Sequence, residues 1–63
     1  MKLREMIELL RMNQRMEIRD SDGHEICECD TNSAGVIPYL DKTILEWFAA
    51  THLHVEFVVY IEE

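Results

Sequence analysis

The chain has one proline, two glycines and two cysteines in 63 residues. With so few forced breaks, its turns also draw on Asn, Asp and Ser, as in residues 30–35. Two cysteines cannot build the disulfide framework that staples small secreted domains, so reduced thiols in a cytoplasm are expected. Apolar runs are short, and none nears the roughly 20 residues a membrane-spanning helix needs. The first ten residues mix charges with apolar positions, so no export signal is expected. Basic residues are scarce: 6 Lys and Arg stand against 13 Asp and Glu, a net charge of −7. That balance argues against direct binding to nucleic acid or to an anionic membrane. There is no Gly-rich phosphate loop and no Gly-x-Ser-x-Gly. No nucleophile–base pair can be assigned among Cys27, Cys29, His24, His52 and His54, so no catalysis is expected.

What the chain does have is a normal apolar content of 48%, which excludes disorder. Residues 1–63 form one small domain. A chain of this size buries only about 60% of its unfolded surface, so its stability is marginal without a disulfide, a metal or a partner chain. Charge is unevenly spread. Five of the six basic residues fall within residues 1–19, and ten of the thirteen acids follow them. Such asymmetry suggests contact with something basic, or with a second copy.

The last stretch, Val55 to Ile61, reads as a strand apolar on both faces, around which the other elements pack. Residues 2–12 read as an amphipathic helix. Leu3, Met6, Ile7 and Leu10 follow the helical repeat, with Leu9 widening the stripe. Residues 15–20 and 24–29 read as a hairpin around Ser21-Asp22-Gly23. A two-residue loop sets Glu17 opposite Glu28. A three-residue loop pairs Ile18 with Ile26 and Arg19 with Glu25, and is favoured because like charges directly opposite are costly. That register puts Met16, Ile18 and Ile26 toward the helices and Cys27 and Cys29 on the far face. Residues 30–35 read as a loop. Pro38 keeps Ile37 out of helical geometry, so Val36–Leu40 is a short extended piece or a single turn. Asp41 then caps a helix over about residues 42–50, with Leu40, Ile44, Leu45 and Phe48 as its stripe and Trp47 on the flank. The expected fold is α+β in the order α-β-β-α-β, two-layered, with a three-stranded antiparallel-type sheet and both helices on one face.

Three constellations merit weighing. Cys27 and Cys29, with His52 and His54, offer the donor set of a tetrahedral zinc site. One residue between the cysteines is closer than the usual spacing, so no cofactor is expected and the thiols read as small apolar side chains. Residues 20–25 resemble a calcium loop only in outline: position 12 is Thr31, where a bidentate Glu is needed. Asp20, Asp22, Glu25, Glu28 and Asp30 put five acids into eleven residues. A row of carboxylates on a rigid body can occupy a groove that normally holds phosphates. The plainer alternative is a solvated sheet edge that discourages pairing. Trp47, Tyr39 and Tyr60 are candidate interface anchors.

The opening Met1 to Leu10, the Glu17-Ile18-Arg19-Asp20 strand and Ile37-Pro38-Tyr39-Leu40-Asp41 before the next element resemble small uncharacterised proteins of bacterial prophages and mobile elements. The resemblance covers most of the chain and is one of pattern. It implies a small helper or inhibitor, a kind among which anti-defence proteins, including anti-CRISPR proteins, are frequent.

The leading expectation is therefore a non-enzymatic acidic module that occupies a basic, nucleic-acid-binding surface of a partner protein. Asp20, Asp22, Glu25, Glu28 and Asp30 would meet that surface, with Tyr60 and Trp47 as anchors. The alternatives are a homodimer whose far sheet face packs on a second copy, and a zinc-stabilised domain.

Overall fold

A computed structural model describes residues 1–50 and 54–62. The elements are α1 (Leu3–Leu9), β1 (Arg15–Arg19), β2 (Glu25–Asp30), a 3-10 helix (Ala34–Tyr39), β3 (Ile44–Ala49) and β4 (Phe57–Ile61). The fold is α+β. Its sheet has four strands rather than three, in the order β2-β1-β4-β3. The sheet is mixed: β1 pairs antiparallel with β2 but parallel with β4, and β4 pairs antiparallel with β3.

The expected helix over 42–50 is a strand. The spacing of Leu40, Ile44, Leu45 and Phe48 fits a helix, but Thr43, Ile44, Trp47 and Phe48 are β-branched or aromatic and suit a pleated surface. β4 decides between them by offering a full ladder, with Trp47 opposite Val59, Phe48 opposite Val58 and Ala49 opposite Phe57. Asp41 caps no helix, and its carboxylate instead takes the Arg4 guanidinium at 3.1 Å. Pro38 lies inside the 3-10 helix, so Ile37 is itself helical and the expectation that Pro38 excludes it from helical geometry does not hold.

α1 is shorter than its apolar repeat, because Leu10 already has extended backbone. Its first turn is held by carbonyls of the segment that leads into β3. The Leu3 N–H donates to the Lys42 carbonyl at 3.0 Å and the Arg4 N–H to the Leu40 carbonyl at 2.8 Å. The Lys2 N–H donates to the Glu5 carboxylate at 2.9 Å. Donors that a helix start leaves without partners are thus satisfied. Leu3 and Met6 are buried, while Leu9 is 70% exposed and stands outside the stripe it was expected to widen.

α1 and the 3-10 helix cover one face of the sheet. Leu3, Met6 and Val36 pack there with Met16, Ile18, Cys29, Phe57, Val59 and Ile61. β4 is an interior strand buried on both faces: Val58 joins Ala50 and Val55 in a second cluster, with Tyr60 against it. Val55 precedes the strand and packs with Val58, not with Phe57.

The hairpin uses both registers. At its tip, Asp20 and His24 bond, Gly23 adopts a φ of 88°, and Arg19 faces Glu25, as a three-residue loop requires. A bulge then shifts the ladder, so that Ile18 faces Cys27, Glu17 faces Glu28 and Met16 faces Cys29. Ile26 is the extra residue, and both it and Cys27 pack against the core. The shift overturns the expected side for the cysteines. Cys27 and Cys29 lie on the helix face, and Cys29 is buried. The like-charge pair is tolerated because each carboxylate has its own guanidinium. Arg15 holds Glu28 at 3.0 Å, and Arg19 holds Glu17 at 2.8 Å.

Candidate interaction surface

Strand alternation sorts the side chains onto two faces. The face away from the helices carries Arg15, Glu17 and Arg19 from β1, with Glu25, Glu28 and Asp30 from β2. It also carries Val58 and Tyr60 from β4, and Glu46 and Phe48 from β3. Five carboxylates and two guanidiniums therefore share one sheet face.

The carboxylates are not equivalent. Asp30 and Glu28 share Arg15, at 3.3 and 3.0 Å, and both raise its pKa. Glu17 is 6% exposed and bound to Arg19, whose other nitrogen donates to the Gly23 carbonyl at 2.6 Å. Glu25 has a raised pKa, first because its carboxyl hydrogen-bonds to Glu17 and then because the Glu17 charge lies beside it. The Asp20 carboxylate is turned inward to build the turn. It accepts the Asp22 N–H at 2.9 Å and the His24 N–H at 3.0 Å. The His24 bond is the main cause of its lowered pKa. Asp22 is exposed at the tip.

Tyr60 stands beside Arg19 across the parallel ladder, and its ring lies 6.0 Å from that of Phe48. The two aromatics form the apolar part of this face, with β2 carboxylates on one side and Glu46 on the other. Trp47 does not join them. It faces Val59 and lies on the helix side, where it lines a cavity of about 300 Å³ with Met6, Leu9, Phe57 and others. The anchors expected together are thus split between opposite faces. Phe48 takes the place expected for Trp47. Its partnership with Tyr60 follows from the β3 register, which helical spacing concealed.

The zinc donors are dispersed. Cys27 and Cys29 belong to β2, at one edge of the sheet, and His54 is exposed just ahead of β4, with β1 between. His52 lies outside the described residues. Burial, and then the Cys27 thiol, push the Cys29 pKa up to about 11. Such a thiol is protonated and inert at neutral pH. Among the described residues, Asp20, Asp22 and His24 are the one group whose ligand atoms lie within 4.8 Å of one another. The Asp20 Oδ1 already accepts two hydrogen bonds from the turn, and its Oδ2 lies 3.6 Å from the His24 Nδ1.

No helix among the described residues is long and apolar enough to cross a membrane. Comparison of the chain with protein-family models, with curated proteins and with solved structures gave no match.

Proposed function

We propose that this protein is a non-enzymatic binding module that docks on the basic surface of another protein through the helix-free face of its sheet. The observation that carries the reading is the juxtaposition of Phe48 and Tyr60 with Glu25, Glu28 and Glu46 on that face. An aromatic pair supplies apolar area with little side-chain entropy to lose, and acids around it choose a basic partner. A groove that ordinarily holds phosphates is the kind of surface such spacing suits, and occupying it makes the module an inhibitor by exclusion. Arg15 and Arg19 temper the field over β2, so Asp22, Glu25 and Glu46 bear most of the recognition. Trp47 has no part in this surface.

The test is capture from a bacterial lysate on the immobilised chain, with wild type compared with a Glu25→Lys/Glu46→Lys variant and with Tyr60→Ala. Wild type retains a nucleic-acid-binding protein that heparin or about 0.5 M salt releases, and both variants lose it. Retention unchanged by salt and by charge reversal refutes the reading.

A further inference from the structure

β3 is an edge strand, and among the described residues its edge is undefended from Leu45 onward. The other edge, β2, carries Glu25, Glu28 and Asp30 and is broken by a bulge, two devices that prevent strand-to-strand association. β3 carries a single charge, Glu46, and leaves Leu45, Trp47 and Phe48 51%, 56% and 41% exposed. Its bulge falls at its start, between Ile44 and Glu46.

The ladder fixes which backbone groups are left over. The Ala50 N–H donates to the Glu56 carbonyl at 3.1 Å, so residues 46, 48 and 50 bond inward to β4. Trp47 and Ala49 therefore point their N–H and C=O outward. At the start of the strand the outer side is already taken, because Lys2 bridges Thr43 and the Ile44 N–H donates to the Met1 carbonyl at 2.8 Å. Among the described residues the open edge thus runs from Leu45 to Ala49, with Trp47 at its centre.

We infer that this edge pairs with the same edge of a second copy, about a twofold axis at Trp47, giving one continuous eight-stranded sheet. The open stretch is its own complement. A twofold at Trp47 brings two such stretches into full overlap, so that the outward groups of Trp47 meet those of the partner's Trp47. Glu46 then faces the partner's Phe48 and not another carboxylate. Ala49 faces the partner's Leu45. The antiparallel arrangement also carries the Lys2 and Lys42 end of one strand toward the Glu56 end of the other. The proposed docking face shares Glu46 and Phe48 with this strand, but its Tyr60 and β2 carboxylates lie away from the open edge, and this inference does not rest on that reading.

Sedimentation equilibrium on the full chain tests it, over about 1–200 µM and at about 0.5 M salt, where a purely electrostatic contact fades. Wild type reaches twice the 7.5 kDa chain mass. Ala49→Pro deletes an outward donor and leaves the β4 ladder whole, a place an edge strand accepts proline. Through the twofold it removes two bonds per dimer, so dissociation strengthens by about tenfold or more. Trp47→Lys does the same by burying two like charges side by side, and serves should the proline variant not fold. Amide exchange adds a site-resolved reading: Trp47 and Ala49 N–H groups become protected as concentration rises, while those of Phe48 and Ala50 are protected throughout. A wild type that stays at single-chain mass across the range overturns the inference, whatever foreign strand the edge then takes. A dimer unchanged in both variants overturns it too, by placing the contact elsewhere.

Discussion

Replacing Ile18 by alanine tests the assignment of the core. Ile18 has no exposed surface, lies at the middle of β1, and has Cys27 and Val59 as cross-strand neighbours. Truncating such a side chain loses its transfer free energy and leaves a cavity the strand cannot close, together about 2–5 kcal/mol. A chain of this length holds about 3–9 kcal/mol of total stability, at about 0.05–0.15 kcal/mol per residue. The substitution therefore consumes a large share of the whole, and Ile18→Val, at about 0.5–1.5 kcal/mol, is the measurable intermediate. Leu45→Ala is the contrast. On a helix over 42–50 Leu45 belongs to the buried stripe and its loss resembles that of Ile18. On β3 it is 51% exposed, and its loss stays within about 0.5 kcal/mol. Urea unfolding followed by far-ultraviolet circular dichroism separates the two, at dilutions where the midpoint no longer depends on concentration. Equal costs at Ile18 and Leu45, with unchanged m-values, refute the strand at 44–49 and with it the order of the sheet.

Thr31 is 5% exposed; its hydroxyl accepts the Gln14 N–H at 3.1 Å and donates to Asn13 at 3.2 Å. Thr31→Val leaves the half-buried Gln14 N–H without its acceptor, while the exposed Asn13 still accepts the Asn32 N–H at 3.3 Å, and thermal or urea melting registers a loss of about 1 kcal/mol. Stability has a shallow maximum on the acid side of neutrality. Glu25 has a raised folded pKa, so its contribution grows as pH falls through that value and the repulsion from Glu17 is relieved. Asp20 has a lowered folded pKa, so its contribution is present above the unfolded value and vanishes as pH falls through the folded one. Urea midpoints measured across about pH 3–8 check both arms, and a monotonic rise toward pH 8 contradicts the first. At the alkaline end the unfolded Cys29 thiol ionises near its ordinary value of 9.0 while the folded one holds to about 11. Stability therefore declines across that window. Iodoacetamide at about pH 8 modifies Cys27 at least about tenfold faster than Cys29, read by peptide mass mapping, and equal rates refute the burial of Cys29.

Several features were legible in the chain alone because they depend on neighbours in sequence. The α1 stripe, the turn at Ser21-Asp22-Gly23 and the turn around Pro38 arise from local spacing and backbone preference. Each is observed. The apolar run before the end also announces an interior strand by composition, and β4 is one. The acidic hairpin is likewise plain from residue types.

Only the tertiary structure decided the rest, wherever two local solutions lay close in energy and a distant partner chose. Residues 40–48 satisfy a helical stripe and a β pattern together, and the exposed backbone of β4 selects the strand. That choice separates Trp47 from Tyr60, replaces it with Phe48 and creates the open edge. The hairpin likewise had two registers differing by one residue. A bulge at Ile26 admits both, with one set of bonds at the tip and another along the body. Two guanidiniums placed by strand alternation make the Glu17–Glu28 pairing tolerable, and the cysteines turn inward as a result. Pairing β1 with β4 in parallel joins segments about forty residues apart. Local pattern carries no mark of such a contact, because its free energy appears only once the core between the sheet and α1 has closed.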